Sequence, residues 1–260
     1  MKPVLNVFKI GGGIIDHEPD LLEFLRRFAA IGGPKVLVHG GGKGASEMMK
    51  RLGMAPRLLQ GRRITDAATL DIVTMFYAGK TNKHIVAALQ RQGVNALGVS
   101  GADGNVIRAR RRPVAEVDYG FVGDLDETSV DAALVGQFLE LGLTPVFCPI
   151  VHDGQGQLLN TNADTVAASL AKALSHCHAV ELHFCFEKKG VLADANNSQS
   201  VISKITVADY AELQAQGIIA DGMLPKLDNA FEALGYGVEK VFIEHALHMA
   251  GDVKTELCLT

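Results

Sequence analysis

The sequence predicts an α/β fold: an open αβα sandwich around a mostly parallel central sheet, with β-hairpins inserted beside it. Three observations carry this prediction. Two strand–glycine–helix units follow one another at the start of the chain, and apolar runs of strand length then alternate with helix-like segments along most of the remainder. Residues 104 to 125 instead break into short alternating runs around Gly104, Pro113, Gly120 and Gly123, the pattern of antiparallel hairpins.

In chain order, residues 4 to 10 (VLNVFKI) form a short apolar strand ending in Gly11 to Gly13, and residues 20 to 31 have the spacing of an amphipathic helix. The unit recurs as residues 35 to 38 (KVLV), His39, Gly40 to Gly42 and a helical stretch through Arg51. A long helix is expected over 67 to 92, with strands over 94 to 99, 144 to 151, 180 to 186 and 238 to 243 and a helix over 164 to 174. Hairpins at a sheet edge often cover a ligand. With no fixed-period repeat and no low-complexity linker, a division is expected where Ser175 and His176 end a helix, giving lobes 1–175 and 176–260.

At 260 residues, 48% hydrophobic and 21% charged, the chain is long and apolar enough to bury a sizeable core. A net charge of −4 offers no general attraction for nucleic acid or anionic lipid. The one basic run, Arg108 to Arg112 (RARRR), lies beside Pro113 and an acidic stretch and reads as a solvated loop. Cys148, Cys177, Cys185 and Cys258 lack metal-finger spacing, and no secretory signal precedes them, so reduced thiols and a cytoplasmic location are expected. His183 and Cys185, within HCHAVELHFC, alternate like one face of a strand rather than like zinc ligands, so no protein-bound metal is expected. No apolar stretch approaches the ~20 residues that span a bilayer.

Glycine turns after parallel strands let backbone amides approach an anion, although one such turn alone can be no more than a tight connection. Neither turn has a common nucleotide fingerprint: GGGIID lacks GxGxxG spacing, and HGGGKGAS has Gly44 where a Walker loop needs Ser or Thr. Lys9, at the end of the first strand, would project at the ligand-binding edge of such a sheet and supply charge for phosphoryl transfer. The segment Asn160 to Asp164 (NTNAD) reads either as a turn with Asp164 as helix N-cap or as polar residues lining a site. Taken alone, Lys226 reads as a surface lysine, and Arg63 as a solvent-exposed arginine or a bidentate carboxylate grip.

Taken in order, KIGGG, VHGGGKGASEMMKRLG, GRRITD, AGKTNK, GVSGADG, GFVGD, LNTNADTVAASLA and GIIADGMLPK resemble the amino acid kinase family over nearly the whole chain. GRRITD and AGKTNK are most particular to its acetylglutamate kinase branch. The resemblance implies transfer of the γ-phosphoryl group of magnesium-bound ATP to the γ-carboxylate of an N-acylated glutamate, the second step of arginine biosynthesis. An ionised carboxylate is already a nucleophile, so no general base is sought.

By the same resemblance, Lys9 and Lys226 flank the transferring phosphoryl group and Asp164 positions both. Gly41 and Gly42 would bind the acylated substrate through their amides, Arg63 its α-carboxylate, and Asn160 and Asn162 its remaining polar atoms. Gly12 would aid the phosphates. ATP would lie over the C-terminal lobe against the turn Phe186 to Val191, including Lys188 and Gly190, and against the backbone of Ile218, Ile219 and Ala220. That turn departs from the family's Thr/Ser-Asp-Val-x-Gly, reading Phe186, Glu187, Lys188, Lys189, Gly190. Lys188 is accordingly either a phosphate ligand or half of a solvated basic pair. The acyl group is acetyl or, alternatively, succinyl; a catalytically silent ligand sensor on the same fold would have lost Lys9, Lys226 or Asp164. A homodimer is expected, packed partly through the helix from Ala67 to Gln92. The few residues before Lys9 leave no room for the helix that links arginine-inhibited relatives into rings, so insensitivity to arginine is expected.

Overall fold

The computed structural model describes residues 2–59, 62–219, 223–249, 251 and 253–260. The first unit is β1 (Val4–Ile10), α1 (Gly12–Asp16) and α2 (Glu18–Ala30), and the second is β2 (Lys35–His39) and α3 (Gly44–Arg51). In α2, Leu21, Phe24, Leu25 and Phe28 recur at helical spacing and are buried, each contributing about 1.5–3 kcal/mol by leaving water. The helix stops at Ile31. Its last carbonyls are closed by Lys35 Nζ, which donates to Phe28 O at 2.8 Å, to Ala29 O at 3.1 Å and to Ile31 O.

β3 (Leu58–Leu59) then pairs antiparallel with β4 (Arg62–Arg63). The expected helix from 67 to 92 is present in three parts: α4 (Ala67–Thr74), a π-helical segment Met75–Thr81, and α5 (Asn82–Arg91). Asp66 caps α4 by accepting from the Thr69 amide at 2.9 Å. β5 (Ala96–Val99) follows, and the expected hairpin region contributes the antiparallel pair β6 (Arg110–Arg111) and β7 (Gly123–Asp124). Then come α6 (Ala132–Glu140), β8 (Thr144–Phe147), β9 (Ile150–His152), β10 (Leu158–Asn160) and α7 (Ala163–Ser175). The chain continues through β11 (Ala179–Phe186), β12 (Lys204–Thr206), α8 (Val207–Ala215), α9 (Leu224–Gly235), β13 (Lys240–His245) and β14 (Thr255–Cys258).

Among the described residues one eight-stranded sheet has the order β12-β14-β13-β11-β1-β2-β8-β5. The strands from β13 to β5 are parallel, while β14 runs antiparallel to β13 and carries β12 with it. The mostly parallel sandwich with inserted hairpins is therefore as expected. The single strand expected over 144 to 151 is corrected to two. β8 ends at Phe147, Pro149 has no N–H to give a ladder, and β9 leaves the sheet to pair with β10. The expected division near residue 175 falls between α7 and β11, and the sheet runs across it, because β11 pairs with β1 along Val4 to Ile10.

This topology places the site. The chain leaves β1 toward β2 on one side and returns through α7 to β11 on the other, so the carboxyl end of β1 is a switch point with a crevice outside it. Alternation along β1 sends Phe8 and Ile10 into the core beneath α2 and α5, and Leu5 and Val7 into the core beneath α7. Lys9 continues the Leu5–Val7 series and so faces α7. Small residues on that helix, Ala167, Ala168 and Ala171, let it lie close on the sheet and bring its N-terminus to the end of β1.

Candidate active site

At the first turn of α7, Asp164 receives two ammonium groups. Lys9 Nζ lies 2.7 Å from Asp164 Oδ1, and Lys226 Nζ, from the first turn of α9, lies 3.0 Å from Oδ2. The side chains are 8%, 17% and 12% exposed for Lys9, Lys226 and Asp164 respectively. Burial alone would push the Asp164 carboxyl up, but the two lysines outweigh it and hold the group down at about 2. Burial depresses the Lys9 ammonium below its ordinary value; Asp164 opposes that shift and Lys226 adds to it. The reading of Asp164 as an N-cap is corrected: Asn162 is the N-cap, accepting from the Asp164 amide at 2.8 Å, which leaves the Asp164 carboxylate for the lysines.

The cluster sits at one end of a cavity of about 530 Å³. Its walls bring together Lys9, Gly41, Gly42, Arg63, Asn160, Asn162 and Asp164, which are distant in sequence. Arg63 leans on α3, donating to Ser46 Oγ at 2.7 Å and to Met49 Sδ at 3.5 Å, which fixes its guanidinium at the cavity wall. Asn160 Nδ2 donates to Thr65 Oγ1 at 3.1 Å, while its Oδ1 is buried with no partner among the described residues. The two glycine turns touch: a Cβ on Gly12 would lie 3.1 Å from Gly42 Cα, and Lys43 donates its amide to Asp16 Oδ1 at 2.7 Å. Gly42 takes φ 61°, a conformation that favours glycine.

Tyr77 and Arg112 are among the cavity residues that sequence reasoning missed. Tyr77, carried by the π-helical segment, lies over Gly41 so closely that a Cβ there would be 2.0 Å from the ring. Helical spacing cannot find it, because the π segment shifts the helix phase. Arg112 belongs to the basic run read as a solvated loop; instead it lines the cavity and forks onto Asp124, with its Nε at 3.0 and 3.1 Å from the two carboxylate oxygens. Its partner across the β6–β7 pair was the available signal.

The profile of the amino acid kinase family matches residues 5–245. The chain belongs to the amino acid kinase family. An acetylglutamate kinase of Bacteroides thetaiotaomicron is 55% identical over 243 residues, covering 94% of this chain and 94% of the relative. Another, from Bacteroides fragilis, is 52% identical over 256 residues and covers 98% and 97% of the two chains. Among solved structures, smu.665 from Streptococcus mutans UA159 superposes with a TM-score of 0.82 at 26% identity, covering 98% of this chain and 99% of that one.

Lys188, Gly190, Ile218 and Ile219, assigned to the nucleotide by resemblance to this family, are not among the residues that line the cavity. Lys188 is exposed on the loop after β11. Gly190 is buried against β14, where a Cβ would come within 2.6 Å of Thr255 Oγ1, itself the acceptor of the Val191 amide at 2.9 Å. The amides of Ile218 and Ile219 both go to Leu213 O, at 3.0 and 3.3 Å. Ile219 is in the core, and Ala220 lies outside the described residues. Among the described residues no group of three or more His, Cys, Asp or Glu side chains converges as a metal site, and both Asp164 oxygens already serve lysines.

Proposed function

We propose that the chain transfers the γ-phosphoryl group of ATP to the γ-carboxylate of N-acetyl-L-glutamate, giving N-acetylglutamyl phosphate and ADP in the second step of arginine biosynthesis. The observation that carries this reading is the buried Lys9–Asp164–Lys226 cluster at the end of a cavity walled by Arg63 and a glycine turn. Phosphoryl transfer asks a protein mainly for positioning and charge compensation, and two lysines held by one carboxylate supply the second.

In this reading Arg63 takes the α-carboxylate, and Asn160 Oδ1, without a partner among the described residues, accepts the N–H of the acylated amine. The amides of Gly41 and Gly42 hold the acceptor, and Asn162 keeps Asp164 in place by capping α7. The γ-carboxylate oxygen attacks the γ-phosphorus, the bond to the β–γ bridging oxygen breaks, and ADP leaves with that electron pair. Lys9 and Lys226 stabilise the charge that spreads over the transferring group, and Gly12 lies beside its path. Magnesium, when bound, would neutralise phosphate charge and is taken to arrive on the nucleotide; among the described residues no side chains build a cage for it. Lys188, Gly190 and the Ile218 to Ala220 backbone are the proposed nucleotide contacts, with Ile218 and Ile219 acting through atoms other than their committed amides. The enzyme is read as a cytoplasmic homodimer without nucleic-acid or membrane partners; among the described residues no helix is long and apolar enough to cross a membrane.

One observation favours a succinyl acceptor as second reading: Arg62 lines the same cavity beside Arg63 and forms no salt bridge among the described residues. A succinyl group would bring it a carboxylate. Trapping acyl phosphate as hydroxamate, with N-acetyl-L-glutamate, N-succinyl-L-glutamate and glutamate compared, tests both. Turnover of an acylated glutamate that disappears in Lys9→Ala and Lys226→Ala is the expected result and names the acyl group. Failure to phosphorylate either acylated glutamate would overturn the assignment.

A further inference from the structure

We infer that the buried pair His39–Asn82 is a positioning device that aims the Gly41 N–H into the acceptor cavity, an inference that rests on the function proposed above. His39 ends β2 with no exposed surface, on the face of the sheet opposite Lys9 and α7. Its Nδ1 lies 2.8 Å from Gly40 O, and its Nε2 lies 3.1 Å from Asn82 Nδ2.

The protonation pattern follows from the partners. Asn82 Oδ1 accepts from Lys83 Nζ at 3.2 Å, which leaves the Asn82 amide group as donor, to Val146 O at 2.9 Å and to His39 Nε2. Nε2 must therefore be bare and Nδ1 must carry the proton, which it donates to Gly40 O. Burial keeps the ring neutral, pushing its pKa down to about 4.

In a planar trans peptide the C=O and the following N–H point in opposite directions. Drawing the Gly40 carbonyl toward His39 thus turns the Gly41 N–H toward the opposite face, where Lys9 and Asp164 stand. The amides of Gly41 and Gly42 have no backbone or side-chain acceptor among the described residues, and both glycines line the cavity. The preceding peptide is anchored by Gly40 N to Ile10 O at 3.1 Å, so the Gly40–Gly41 peptide is the unit left for His39 to orient. With glycine on both sides, that peptide has little steric resistance to flipping.

Nitrogen-15 NMR of the imidazoles in the wild-type chain at neutral pH should show His39 as the neutral Nδ1–H tautomer; the Nε2–H tautomer would overturn the inference. In steady-state assays His39→Leu should raise the KM for N-acetyl-L-glutamate about ten- to hundredfold, the range of a hydrogen bond to a charged group, and leave the KM for ATP within about twofold. His39→Asn, whose side-chain amide puts a donor near the Nδ1 position, should restore most of the acceptor KM. An unchanged acceptor KM in His39→Leu, or equal impairment in His39→Asn, would also overturn it. Absence of wild-type turnover would remove the functional reading itself, while the tautomer measurement would still decide the role of His39.

Discussion

Lys9 is charged in a place where water reaches it poorly. Burial depresses its ammonium, Asp164 supports it, and Lys226 works against it, so the charged form costs the folded state stability at neutral pH. Lys9→Met keeps most of the volume and removes that cost, but it also takes one of two cations from the buried Asp164 carboxylate. It should lower kcat about 10²–10³-fold, the scale of losing one preorganised transition-state contact, while the melting temperature changes little because the two effects on stability oppose one another. Kinetics and a thermal melt on the same preparation check both halves of the expectation. Arg112 shows the limit of reading residues singly. Four arginines within five residues look solvated, and Arg110 and Arg111 are exposed, but the pairing of β6 with β7 puts Asp124 opposite Arg110 and within reach of Arg112. Only pairing in space makes that residue part of the cavity.

At the scale of elements, α7 does most to assemble the site, since its first turn holds Asp164 and its small-residue face sets its distance from β1. Asn162→Ala removes the side-chain cap and should cost about 1 kcal/mol in urea unfolding. Because the cap also holds the amide of Asp164, kcat should fall as well, whereas a cap with only a structural role would leave kcat unchanged. The strand–glycine–helix units, α7 and the central strands were legible because their periods of two and 3.6 residues are carried by buried apolar side chains. The π-helical segment Met75–Thr81 was not, since its wider turn departs from both periods and its effect, placing Tyr77 over Gly41, depends on β2. Pro149 is similar: a run as apolar as TPVFCPIV reads as one strand until the missing N–H is counted.

For the whole molecule, the sheet and the ion cluster join the same parts of the chain twice. β11 lies against β1 in the sheet, and Lys226 and Lys9 meet on Asp164 above it. The carboxyl of Asp164, held at about 2 against an ordinary 3.8, contributes stability that is present above about pH 4 and is lost as the pH falls through about 2. Urea midpoints measured near pH 5 and near pH 2.5 should therefore lie closer together in Asp164→Asn than in wild type, because the variant lacks that titration. The motif order made the family legible from sequence. The continuity of the sheet across residue 175 was not, because parallel pairing between β1 and β11 leaves no local mark on either strand.

The shared carboxylate has one more effect. Two ammonium groups and one carboxylate sum to a single positive charge, so in the proposed transfer departing ADP is drawn back by roughly one cation's worth of attraction rather than two. Asp164 in that proposal acts as a counterweight, leaving the lysines strong enough to steady a phosphoryl group in flight and weak enough to let go of what it leaves behind.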